Sequence, residues 1–226
     1  MRLLTLGLWL ALTGCRDQTA PPPVADKPDL ALLTSLPIVF GETFTLDAPR
    51  HPLLGALEKR FTVASVDGPE QLKGQGLLLA IQPQALTAER LVALDQWVRG
   101  GGRLVLLADP FLSFESSRPL GDRFRPPLRY PDTGLLAHWG LTLESDVDNR
   151  LESVETDLGR GIRLKSGGLG SLTRSGGDCT LSRSRAVARC RIGKGYATIV
   201  ADADFALSPL PTEHEVAVAL LAELAR

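Results

Sequence analysis

The chain has 226 residues, enough for one large domain, with 25 basic side chains against 26 acidic ones. A net charge of -1 argues against a nucleic-acid binder working through a basic field, and an apolar fraction of 44% argues against disorder of the bulk. Three Cys and three His are too few for a Cys/His metal cluster, and no cofactor motif is present in the sequence.

The N-terminus is an address. Arg2 gives a short positive start, and Leu3 to Leu12 form an apolar run too short for a spanning helix of ~20 residues. The run ends in Leu12-Thr13-Gly14-Cys15. This resembles the lipobox of bacterial lipoproteins, which implies a signal peptide over residues 1–14, cleavage before Cys15 and acylation (palmitate) at that cysteine. The alternative is an ordinary export signal with an unmodified Cys. Acyl chains hold a protein at a membrane through about 0.8 kcal/mol per buried CH₂. No later stretch reaches the ~18 consecutive apolar residues of a spanning helix. Arg rather than Asp at position 16 resembles the class sorted to the outer membrane rather than the class kept at the inner one. Residues 15–28, with Pro21, Pro22, Pro23 and Pro28, form a tether with a reach of ~3 Å per residue.

The body, residues 29–226, reads as a single domain. Leu30 to Phe40 is a continuous apolar run, predicting a strand buried on both faces that Pro37 ends or moves to an edge. Pro52 opens a helix through Lys59. Phe61 to Val66 and Gly76 to Ile81 are further strands. Residues 86–102 give the strongest helix signal: Thr87 as N-cap, Leu86 and Leu91 as a staple, a Leu91/Leu94/Val98 stripe, and a Gly100-Gly101-Gly102 stop. Arg103 to Ala108 is the next buried strand. Residues 111–132 form a long loop rich in Pro and Arg, of a length usually functional or mobile. A helix near Gly134 to Gly140 and short strands at Leu141 to Leu143 and Gly161 to Leu164 follow.

Cys179 and Cys190 bracket a hairpin in which a two-residue turn at Ser184-Arg185 sets them opposite each other, close enough for a disulfide in an exported protein. Two free thiols or part of a metal site are the alternatives. Tyr196 to Ala201 is a buried strand, and a Thr212-x-x-Glu215 capping box opens the last helix, with its Val216/Leu220/Leu224 stripe. Apolar strands alternating with helices predict an α/β fold, a mostly parallel sheet covered on both faces in a three-layer sandwich, with an antiparallel β extension over about 141–192.

Three segments carry a family likeness: LTAERLVALDQWVRGGGRLVLLADPF (86–111), GLLAHWGLTL (134–143) and GKGYATIVADADF (193–205). They resemble the soluble domain of GldG-type auxiliary components of ABC transport systems. That resemblance implies a flavodoxin-like or glutamine-amidotransferase-like fold and association with an ATPase and a permease. It brings no catalytic residues with it.

The candidate sites follow from the predicted fold. Asp109, Asp202 and Asp204 lie at or past strand C-termini, the ligand edge of an open α/β sheet. They could hold a hard cation, serve acid/base chemistry, or cap turns by accepting N–H bonds. Amidotransferase-like enzymes carry a Cys on the strained turn after a strand, with a His partner. Here that turn reads Gln82-Pro83-Gln84, and His138 and His214 have no nucleophile within sequence reach. Thr34, Ser35, Gly41 and Glu42 follow the first strand, where ligand loops often lie. Arg118, Arg123, Arg125 and Arg129 form a candidate anion or partner loop, or a solvated loop balanced by Glu115, Asp122 and Asp132. Gly193-Lys194-Gly195 lacks Walker spacing. The expectation is a non-enzymatic envelope lipoprotein, lipid-anchored and facing the periplasm. It would serve as an auxiliary or ligand-binding subunit of an ABC-type system, without cofactor or nucleic acid. The alternative is a hydrolase-like or metal-binding enzyme built on the three aspartates.

Overall fold

The computed structural model describes residues 27–42, 49–145 and 153–225; residues 1–26, which include Cys15 and the predicted signal and most of the tether, lie outside them. Seven strands form the main sheet in the order β2 (Thr62–Ser65), β1 (Asp29–Thr34), β3 (Leu77–Ile81), β4 (Arg103–Leu107), β11 (Gly195–Val200), β10 (Val187–Ile192) and β9 (Cys179–Leu181). The first five are parallel, and β10 and β9 add on antiparallel. Two two-stranded ribbons, β5 (Leu141–Glu144) with β8 (Ser171–Arg174) and β6 (Val154–Gly159) with β7 (Ile162–Ser166), complete the antiparallel part.

The apolar runs explain the layers. In β1, Leu30 and Leu32 point into one core and Ala31 and Leu33 into the other, so no polar alternation is tolerated. Helices α1 (Pro52–Arg60) and α4 (Pro211–Leu224) cover the first face, while α2 (Ala88–Arg99) and α3 (Leu135–His138) cover the second. The predicted α/β sandwich is therefore the observed architecture. β2, with its exposed TVAS sequence, is an edge strand.

Thr87 caps α2 by accepting the Arg90 N–H at 3.4 Å, and Gly101 has φ +122°, the left-handed region that stops the helix. Close packing also requires glycine where α2 meets the sheet. A Cβ at Gly195 would sit 2.1 Å from the Val98 carbonyl oxygen and 2.2 Å from that of Gly102.

β1 covers the first half of the apolar run and ends at Thr34, ahead of Pro37; Leu36 and Ile38 bury themselves from the following loop. Two local expectations are corrected. α4 starts at Pro211, which takes the first helical position, so Leu210 is the N-cap and the Thr212/Glu215 box does not form. In the β9–β10 hairpin the Arg185 N–H donates to Ser182 O at 2.9 Å, which centres the turn on Arg183-Ser184, with Arg185 at φ +60°.

The hairpin register nonetheless pairs Cys179 directly with Cys190, and the two are joined by a disulfide. The bond ties the edge strand to its neighbour beneath α3. Both sulfurs are buried. Replacing both cysteines by serine is expected to lower stability by about 2–3 kcal/mol, the loop-entropy value for so local a bridge. Denaturant titration checks this, and reductant should lower the parent to the same level.

Candidate functional site: the C-terminal edge of the sheet

The strand ends at this edge are held by one buried carboxamide. Gln82 follows β3 with φ +41° and no exposure. Its Oε1 accepts the Asp109 N–H at 2.8 Å, and its Nε2 donates to Asp109 O at 3.2 Å and Pro127 O at 3.0 Å. Its backbone N–H donates to Leu107 O at 2.9 Å, and its backbone carbonyl accepts the Ser35 hydroxyl. One residue, through its side chain and its backbone together, thus joins the ends of β1, β3 and β4 to the long loop. In sequence this position was legible only as a turn without a nucleophile.

Asp109 and Asp202 end the adjacent strands β4 and β11, whose register pairs Leu107 with Val200, and both are fully buried. Asp109 accepts N–H bonds from Phe111 at 2.7 Å and Ala203 at 3.0 Å. Asp202 Oδ1 accepts the Asp204 N–H at 2.8 Å, and Asp204 accepts that of Ser113 at 2.8 Å. The three carboxylates come together, each bonded to backbone. Burial first, and then the Asp204 charge, raise the Asp109 pKa far above the usual carboxylate range. Burial and then Asp109 do the same to Asp202. Ser166 lies near enough to favour the charged form, yet Asp202 Oδ2 makes no hydrogen bond. Burial also raises Asp204. Among the described residues no group of three or more His, Cys, Asp or Glu is placed to hold a metal ion.

The long loop is anchored at its base. The Leu112 N–H donates to Leu128 O at 2.8 Å and the Tyr130 N–H to Asp109 O at 2.7 Å. Its four arginines do not act as one group. Arg125 turns inward and donates to the Ser116 carbonyl at 3.1 Å and to that of Arg118. Arg118 donates to Glu42 O at 2.8 Å. Arg123 is exposed and stacks on Phe124 at 4.4 Å from the ring centre. Arg129 lies apart, beside Pro110 and Tyr130.

Arg118, Arg123 and Phe124 form one wall of a cleft of about 470 Å³, facing Ser35, Phe40 and Glu42 from the loop after β1, with Gln84 and Arg90 on its rim. Burial opposes the charge of Glu42, but hydrogen bonds from Ser116 and Ser117 and the Arg118 charge outweigh it and lower its pKa. Glu42 therefore stays ionised and fastens the loop to β1. Phe40 and Phe124 are 61% and 57% exposed, which makes the mouth of the cleft apolar and aromatic. His138 lies against Asp95 and Arg99, while the Nε2 of buried His214 is 2.7 Å from Ser208 O; neither reaches this edge cluster.

A mostly parallel α/β sandwich with a loop-walled cleft at its C-terminal edge is a class of many functions. Its family is more specific. A family model described as an ABC-type uncharacterized transport system matches residues 27–163, more than half of the chain, and the chain belongs to that family of auxiliary transport components. A comparison with curated proteins gives no match. Among solved structures, the β-galactosidase from Rahnella sp. R3 is similar at 15% identity and TM-score 0.51, over 88% of this chain and 31% of that one. A β-galactosidase from the Antarctic haloarchaeon Halorubrum lacusprofundi gives 16%, 0.54, 89% and 31% in the same order. The mmIFT52 N-terminal domain is similar at 14% identity and TM-score 0.51, over 84% of this chain and 95% of that domain. The chain thus spans about a third of the β-galactosidase chains, and the likeness at these identities is one of fold.

The acidic pair sets a pH dependence. A carboxyl whose folded pKa is raised contributes stability that is full below its ordinary value and lost as pH rises through the raised one. Thermal midpoints should therefore fall between pH 5 and pH 8. Asp202→Asn, which keeps the Oδ1 acceptor, should flatten that fall and be the more stable protein at pH 8 by at least ~1 kcal/mol, the worth of about one pKa unit. Parallel slopes for parent and variant would contradict it.

Proposed function

We propose that this auxiliary component is a lipoprotein of the bacterial envelope, acylated at Cys15 and facing the periplasm, with outer-membrane sorting favoured by Arg16. It works without catalysis by binding a partner subunit or ligand of its ABC-type system in the cleft of Arg118, Arg123, Phe124, Phe40 and Glu42. The observation that carries this reading is the cleft itself, in a chain whose family is one of transport auxiliaries. Exposed aromatic and guanidinium groups, set on a loop fixed by Gln82 and Glu42, are the residue types that dominate binding energy at protein interfaces. Among the described residues no helix is long and apolar enough to cross a membrane.

The enzyme reading rests on Asp109, Asp202 and Asp204. What favours it is the orphaned, protonation-prone Asp202 Oδ2. What disfavours it is that the carboxylates are otherwise occupied by backbone N–H groups, two in local turns and two that link the loops after β4 and β11. If Asp202→Asn abolished an activity while leaving the fold intact, the enzyme reading would replace the binding one.

Two measurements test the proposal. Radiolabelled palmitate should enter the parent and not Cys15→Ser. Affinity purification from solubilised membranes should recover the transporter's ATPase or permease with the parent, and recovery should fall about tenfold or more with Arg123→Ala plus Phe124→Ala, a typical loss for one interface anchor pair. Recovery unchanged by those substitutions would remove the cleft from the binding role.

A further inference from the structure

Parallel strands gather all their N-terminal ends on the edge opposite the cleft. Chain order then places a set of cations there. Lys59 and Arg60 end α1 just before β2, and Lys73 lies in the turn before β3. Arg103 opens β4, Arg191 is the penultimate residue of antiparallel β10, and Lys194 sits in the turn into β11. None of these six side chains makes a hydrogen bond or ion pair with another described residue. All are exposed except Arg103, which is half-buried.

The acids at this edge are mostly neutralised. Asp95 is held by Arg99 at 2.6 Å and by the Trp139 indole at 2.8 Å, and Glu58 pairs with Arg50. Glu223 takes both oxygens to Arg189, at 2.8 and 3.0 Å. Among the described residues, Asp29 and Asp178 remain beside the six. The opposite edge carries both signs: Glu89, Asp132, Glu213 and Glu215 stand there with Arg118, Arg123 and Arg129, and Glu70 is paired with Arg90 at 2.5 Å. In a chain with a net charge of -1, the N-terminal edge is thus a local excess of positive charge.

The register adds an aromatic group to the cationic edge. Tyr196, 45% exposed, is paired with Arg103 on one side and Arg191 on the other, so the three stand in one cross-strand row. Tyrosine between two unpaired arginines suits the headgroup level of a bilayer. The chain also joins the body here: Lys27 and Pro28 lead directly into β1, so residues 1–26 attach at the cationic edge.

From this cationic row and the entry of the chain beside it we infer that the N-terminal edge of the sheet lies against an anionic lipid surface, leaving the cleft turned toward the periplasmic partner. The inference rests on the acylated-Cys15 reading for the direction in which the edge faces. The charge distribution and its affinity for lipid stand independently of acylation.

The test uses the full chain as Cys15→Ser, which carries no acyl group, in cosedimentation with vesicles of phosphatidylcholine alone or mixed with phosphatidylglycerol. Binding should be tighter on the anionic vesicles and should weaken with salt, since exposed charges are screened beyond ~8 Å at physiological ionic strength. Each cation near such a surface is worth about a fivefold change in affinity, so Lys59→Gln with Arg60→Gln and Lys194→Gln should weaken anionic binding roughly 100-fold. These side chains make no bonds in the fold, and a thermal midpoint equal to that of Cys15→Ser confirms that the variant is intact. Affinity independent of lipid charge, or unchanged in the triple variant, overturns the inference. Palmitate labelling of the parent reads Cys15 separately. A labelled parent without charge-dependent vesicle binding overturns the lipid-facing edge alone, while charge-dependent binding without label overturns the lipoprotein reading alone.

Discussion

The carboxamide of Gln82 is the constraint on which the ligand edge depends. A non-glycine residue at φ +41° carries a backbone cost of about 1 kcal/mol. It persists because three side-chain hydrogen bonds, each with a net worth of ~1 kcal/mol, are made only in that conformation. Both a donor and an acceptor are needed, so neither Glu nor Leu can substitute. The amide fixes Asp109 at the end of β4 and Pro127 in the loop, and through them the placement of Arg118, Arg123 and Phe124. The strained turn after β3 thus carries a residue that cross-braces the fold.

Bracing one edge leaves the other available for a different task. The strands run between a C-terminal edge with an apolar, arginine-walled cleft and an N-terminal edge with six unpaired cations. The rigid sheet between them transmits position rather than motion. A protein held by its N-terminus at a lipid surface would present the cleft outward with little orientational freedom, which lowers the entropic cost of partner capture.

The core was legible in the sequence because each buried strand is apolar at consecutive positions, and only burial on two faces requires that. α2 was legible because Thr87 and the glycine run are local signals with local partners. The Cys179–Cys190 pairing was legible because a hairpin fixes register over short range. Other features depended on distant backbone. The role of Gln82 is set by groups 27 and 45 residues away. Arg125 looked like its neighbours but is drawn inward by carbonyls that the loop's own fold presents. The start of α4 went to Pro211 because a fixed φ outweighed the Thr212 cap pattern. Net charge concealed the cationic edge altogether, since a sum over the chain does not show where charges gather.

Site-specific photo-cross-linking in intact cells tests the division between the two edges most directly, with p-benzoylphenylalanine placed at position 124 in one strain and at position 60 in another. A protein adduct from position 124 and a lipid adduct from position 60 are expected. A protein adduct from position 60 with none from position 124 would contradict the division.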